Sequence, residues 1–263
     1  MKKLHYIILS LMLIACNESP EGDPEPEFTL ENELQLSEFV LEEIFENPSQ
    51  YGTIVTASEF IDTYLQRVKD SLLNSGGLIN SEKYDWNVLL IDDSVDARIF
   101  AVPGGKIFLS SATILLMQGE SELASLLAKE MTYANSRLAL EQILNVYGIP
   151  LTLESFTDTN LTNIPAMTDL LINSPYTAEN ELKGDLSAVQ LICGLSYQSD
   201  ALANLYTNIE SDSTNPFSKN FTFYPLDSLR INAIIEESNN LNCTGSKNYF
   251  SSFQVLKDSL RKI

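Results

Sequence analysis

Groups able to do chemistry are sparse in this sequence, and the first to stand out is Glu130 in the run LLAKEMTY, Leu126–Tyr133. A carboxylate inside an apolar helical run is costly to bury without a partner. It therefore marks either an acid–base site or a polar residue kept within an ordinary buried helix. Lys129 and Tyr133 flank it four positions apart, which puts both on one helical face. The single histidine is His5, in an N-terminal stretch expected to be removed, so the mature chain is expected to carry no imidazole. Cys193 and Cys243 either form a disulfide or remain two separate thiols.

These groups need a scaffold, and hydrophobic periodicity predicts one that is mostly helical with one small sheet. Leu34, Leu36, Phe39, Val40, Ile44 and Phe45 fall at helical spacing until Asn47-Pro48 ends the run. A second helix is expected after an N-cap at Thr56, with Glu59 three residues on. It carries Phe60, Tyr64, Val68 and Leu72 as one stripe before Gly76-Gly77. WNVLLI (Trp86–Ile91) and RIFAV (Arg98–Val102) are β-favouring, and Pro103-Gly104-Gly105 turns the second run into KIFLS, Lys106–Ser110, as a hairpin. Helices are expected over Ser111–Met117 and from Ser121 to about Asn145, the latter with no internal glycine or proline. Val146–Asn173 reads as short helices and loops, followed by helices over Glu179–Cys193, Ser199–Asn208 and Leu226–Glu237. The expected class is α+β, mostly helical, with one principal domain over residues 34–263.

Three segments in order then carry a family resemblance. The stretch ARIFAVPGGKIFLSSATILLMQGESELASLLAKEMTY resembles metallopeptidase family forty-eight, the HtpX-like and CAAX-protease-like zinc gluzincins. Their pattern runs N-A-F-A-x-P-G-G, a strand, a short helix, E-A-E-L-A and then H-E-x-x-H. Phe100–Gly105 matches the hairpin and Glu122-Leu123-Ala124 the start of the helix, while Lys129 and Tyr133 stand where the two histidines belong; only Glu130 is kept. In YTAENELKGDLSA, Glu181 falls on the third zinc ligand and Asp185 on the supporting aspartate, with Ala178 in place of an arginine and Gly184 in place of an alanine. In FYPLDSLRINAI, Tyr224 stands for a histidine, and Pro225 and Arg230 are retained. The resemblance spans about Ser58 to Glu237 and implies a zincin-like fold whose small sheet packs beside the former metal helix.

Family chemistry requires what is missing here. Two histidines four apart and a carboxylate from another helix hold zinc with one open position, and the glutamate takes a proton from the bound water. Without imidazole that zinc site cannot form, so no cofactor is expected. Glu130, Glu181 and Asp185 alone would make an all-oxygen set suited to weak calcium or magnesium binding. Lys129 instead suggests an ammonium lying between Glu130 and Glu181, with Lys129–Glu181 the specific ion pair expected.

The rest of the sequence addresses location. MKKLHYIILSLMLIAC has two lysines, a short apolar core and Leu13-Ile14-Ala15-Cys16, which resembles a lipobox. The expectation is a signal over residues 1–15 and lipidation at Cys16. NESPEGDPEPEF begins an acidic, proline-rich tether assigned to residues 16–33. The formal charge of −20 argues against nucleic acid and against unassisted binding to anionic lipid. The expected protein is thus a lipid-anchored component of the bacterial cell envelope, noncatalytic, binding a protein or peptide partner along KIFLS as an edge strand. The competing expectations are an active metalloendopeptidase with an atypical metal site and a purely structural envelope component.

Overall fold

KIFLS is apolar without alternation, and the sheet explains why. The computed structural model describes residues 27–55, 58–157, 161–174, 176–211 and 228–262. Its sheet comprises β1 (Thr53–Ile54), β2 (Asn87–Asp92), β3 (Ile99–Ala101) and β4 (Lys106–Ser110), in the order β1-β2-β4-β3. β4 pairs in parallel with β2 and antiparallel with β3, and every one of its residues is buried. A strand covered on both faces reads as a continuous apolar run. The expectation that Lys106, Ile107, Phe108, Leu109 and Ser110 form a peptide-binding edge is therefore corrected: both edges of β4 are already paired, and the edge strand beside it is β3, with β1 at the opposite edge of the sheet.

The hairpin joining β3 to β4 forms as expected, with Gly104 and Gly105 at φ +82 and +94. A side chain at Gly105 would also meet Tyr84 and Trp86 at 2.9 and 3.1 Å. Alternation along the strands then divides the core. Val88, Leu90, Ile107 and Leu109 face one apolar layer, and Ile91, Phe100 and Phe108 face the other.

α1 (Leu30–Glu46) starts from a capping box between Thr29 and Asn32. The tether expected to reach residue 33 therefore stops short of it, since Phe28 and Glu33 are both buried. After the single turn α2 (Pro48–Tyr51) comes α3 (Glu59–Leu73), capped by Ser58. Thr56, the expected cap, lies outside the described residues. Phe60 is 44% exposed and leaves the predicted stripe, its place taken by Ile61 and Leu65. Phe45, at the end of α1, is 50% exposed as well.

α4 (Ser111–Leu116) leads to α5 (Glu120–Asn135), of which nearly every residue is buried. The single helix expected to about Asn145 breaks here, and α6 (Leu138–Glu154) starts after Arg137, which sits at φ 60. A left-handed conformation costs a non-glycine residue roughly 1 to 2 kcal/mol. Arg137 is held in it by long-range bonds, Nε to Glu33 at 2.8 Å and Nη2 to the Phe28 carbonyl at 3.1 Å. α6 is itself kinked at Gly148, two residues before Pro150.

α7 (Ile164–Asn173) packs with α1 and α6 on one side of the sheet. α3, α5, α8 (Ala178–Ile192) and α9 (Ala201–Ser211) pack on the other, joined by α10 (Ser228–Asn240) and α11 (Phe250–Leu260). A disulfide links Cys193, at the end of α8, to Cys243, beyond α10, which settles the pairing left open by the sequence. α11, where no element was expected, buries Phe253 and Leu256 completely.

Candidate functional site

α5 lies against α8, and this pair of helices assembles the site. Lys129, Glu130 and Tyr133 come from α5, Glu181 and Asp185 from α8, Tyr206 from α9 and Arg230 from α10. Spacings of four on α5 and α8 turn each pair of side chains toward the opposite helix.

The expected ion pair is present. Lys129 Nζ is 2.6 Å from Glu181 Oε2 and 3.6 Å from Asp185 Oδ1, and it donates to the Tyr206 hydroxyl at 3.3 Å. Arg230 closes the other side, with Nε 2.7 Å from Asp185 Oδ2 and Nη2 3.0 Å from Glu181 Oε2. The Tyr206 hydroxyl donates to Asp185 Oδ1 at 2.7 Å and accepts from Arg230 Nη2 at 3.1 Å. Two cations and two carboxylates are thus cross-linked around one phenol in a nearly dry interior, with the Lys129 side chain 4% exposed and Asp185 0%. Burial alone would pull the Lys129 pKa down. The oxygens of Tyr133, Tyr206, Glu181 and Asp185 reverse this and hold it well above the ordinary lysine value. For Glu181, burial acts upward and the Lys129 and Arg230 charges outweigh it, so the carboxyl stays below its usual range.

Glu130 stands outside this network. The ammonium was expected between Glu130 and Glu181; it has turned instead to Glu181 and Asp185, which offer two carboxylates and a hydroxyl together. Glu130 is 6% exposed, and desolvation pushes its pKa up to about 8, opposed by Lys129 and by a hydrogen bond from the Ala101 backbone N–H, and aided by Glu181. At neutral pH it is chiefly a protonated acid.

Tyr133 fills the remaining ligand position as a wall. Its ring lies 4.5 Å from Tyr176, and its hydroxyl is 3.5 Å from the Asn180 carbonyl. A Cβ added at Gly184 would fall 2.4 to 2.6 Å from the edge of that ring. Glycine at 184 is therefore what lets tyrosine stand at 133, a coupling the sequence displayed as two unrelated departures.

A cavity of about 240 Å³ opens beside these residues, between α5, the outer edge of β3, the end of α7 and Tyr176. β3 faces it with unpaired main chain. Ser110 N–H donates to Arg98 C=O and Val102 N–H to Lys106 C=O, so alternation turns Ile99 and Ala101 away from β4. No backbone partner among the described residues reaches Ile99 N–H or C=O.

These geometries match the order of segments seen in sequence, and a family model for Peptidase family M48 matches residues 61–238. The chain belongs to that family. No curated protein matches it. α1 lies before the matched span and α11 after it.

Zinc does not fit the residues that this M48 member brings together. An ammonium and a guanidinium occupy the Glu181 oxygen that would ligate the metal, a phenol stands at the second helical position, and the described residues contain no imidazole. Of the residues singled out in sequence, Lys129, Glu181, Asp185 and Arg230 meet, whereas Lys106 lies elsewhere, bound to the Asp85 side chain and carbonyl. Cys16, Tyr224 and Pro225 lie outside the described residues. Tyr206 was missed: it reads as one more apolar position beside Leu202 and Leu205, and nothing local marks its hydroxyl as the hub of the cluster.

Proposed function

We propose that this M48 protein is noncatalytic, held at the bacterial cell envelope by a lipidated Cys16, and binds an extended segment of a protein or peptide along β3. The observation that carries the reading is the Lys129 ammonium seated on Glu181 and Asp185. A cation fixed at the metal position satisfies the carboxylates and leaves Glu130 without a bound water to activate. Binding along an edge strand needs no metal, because main-chain hydrogen bonds supply it, and the outward groups of Ile99 lie beside an open cavity. Lipidation explains attachment, since among the described residues no helix is long and apolar enough to cross a membrane.

The test combines metal content with turnover. Protein purified with added zinc is expected to retain substoichiometric metal and to leave an unfolded casein substrate intact. One zinc per chain lost on Glu181→Gln, together with chelator-sensitive cleavage abolished by Glu130→Ala, would establish a working peptidase instead. Radiolabelled palmitate should enter the wild-type chain and not Cys16→Ser.

A further inference from the structure

α6 is apolar on its outer side as well as its inner one. From Ile143 to Leu153 it carries no charged residue, and from residue 138 to 173 there is no lysine or arginine. A helix that is apolar all round is one that is covered on all sides. Ile143 is buried, and Tyr147, Ile149 and Leu153 are half-buried against the layer that α6 forms with α1 and α7. Val146 is nevertheless 62% exposed and Leu151 39%, with Pro150 exposed between them. Single apolar side chains at a surface are ordinary, whereas a continuous patch marks something that docks there.

Where the chain enters the domain identifies the cover. Phe28 packs edge-on to Phe156, their ring centroids 6.1 Å apart, and Phe156 follows Leu151 by five residues. The tether from Cys16 thus joins the domain at the end of α6. Its twelve residues reach at most about 40 Å, against a compact domain roughly 45 Å across. An anchor at Cys16 therefore holds the α6 side near the bilayer. α11, on the opposite side of the sheet, could meet it only with the tether drawn fully out around the domain. Charge then selects within the near side: α1 exposes Glu31, Glu38 and Glu42, which favour water, while the uncharged face of α6 gains by leaving it. Two or three side chains are too few to hold a domain on a membrane, but with an acyl anchor in place they have only to orient it.

We propose that the outer face of α6, from Val146 to Leu151, is a membrane-docking surface. It enters the acyl boundary of a phospholipid bilayer and seats the layer of α1, α6 and α7 against it, with α11 turned away. This rests on the lipid-anchor reading given above and adds the surface that the anchor brings to the bilayer.

The experiment reconstitutes the acylated protein in phosphatidylcholine vesicles, with and without doxyl-labelled acyl chains, and reads tryptophan quenching. The chain has one tryptophan, Trp86, which is 6% exposed and gives a constant background. Val146→Trp and Leu151→Trp report on α6, and Val255→Trp, at a position 53% exposed on α11, reports on the far side; each is first matched to wild type in melting temperature. Emission added by Val146→Trp or Leu151→Trp should be quenched at least about threefold more than that added by Val255→Trp. Equal quenching, or more at 255, overturns the docking surface and leaves the anchor standing. A second copy of the chain covering α6 would shield Val146→Trp from the lipid and elute as a dimer in detergent, which also overturns it. If the wild-type protein does not float with the vesicles, both the anchor and the surface fall.

Discussion

Lys129 replaces a double positive charge with a single one, and its surroundings show how a metal site can lose its metal without leaving bare carboxylates. Glu181 and Asp185 keep two cationic partners, Lys129 and Arg230, while Glu130 is left to carry its own proton. Removing one partner of a buried pair costs about 3 to 5 kcal/mol, whereas replacing the pair by apolar groups can be neutral. Lys129→Ala is therefore expected to lose stability in urea unfolding by an amount in that range, and Lys129→Met with Glu181→Met by less than the single change. A loss under about 1 kcal/mol for Lys129→Ala would show that the pair is not holding α5 to α8. Gly184 offers an independent check. Gly184→Ala should cost about 1 to 3 kcal/mol by overpacking, and a double-mutant cycle with Tyr133→Ala should recover at least about 1 kcal/mol of it. Additive effects would mean that the ring does not press on α8 as described.

At the scale of elements, α5 depends on parts of the chain far from it in sequence. Its N-cap, Gly119, has no side chain; the first two amides bond instead to the Asn248 carbonyl and side chain, at 3.0 and 3.3 Å. Ser121 Oγ donates to the Lys247 carbonyl at 2.6 Å. The Cys193–Cys243 disulfide closes a loop with a sequence separation of 50 just before this capping segment, and α11 follows it. Loop-closure arithmetic for that length gives roughly 4 kcal/mol. Cys193→Ser with Cys243→Ser is accordingly expected to lower stability by about 3 to 4 kcal/mol and to abolish the effect of reductant on the melting temperature. A wild-type melting curve unchanged by reductant would contradict this. α11 starts after Tyr249, at φ 48 and with no side-chain cap, so no start signal marks it in sequence; Phe253 and Leu256 show their purpose only once they lie in the core beside α4.

For the whole molecule, acidity meets burial on α5. Burial pushes Glu122 up to about 7 and Glu130 up to about 8, both from an ordinary value of 4.5. Between about pH 4.5 and 8 the folded chain keeps protons that the unfolded chain releases, so stability falls as pH rises through that window and levels off above it. The formal charge of −20 adds repulsion in the same direction. Urea unfolding at pH 5.5 and pH 8.5 should find the wild type weaker at the higher pH. Glu122→Gln, which still offers an oxygen to the Gln118 N–H, should remove up to about 2 kcal/mol of the difference. An identical slope in the variant would refute the assignment. Much of this protein was legible in its residues alone. The α+β class, the Pro103–Gly105 hairpin, the lost histidines and the Lys129–Glu181 pair follow from local periodicity, turn chemistry and motif order, which neighbouring residues encode. Tertiary structure decided the rest. It put β4 inside the sheet and β3 at its edge, broke the helix at Arg137 and made Tyr206 the hub of the charge cluster. It also matched Gly184 to the Tyr133 ring. Each depends on which distant groups meet, and the cost of burying them unpaired, not their local sequence, selects the outcome.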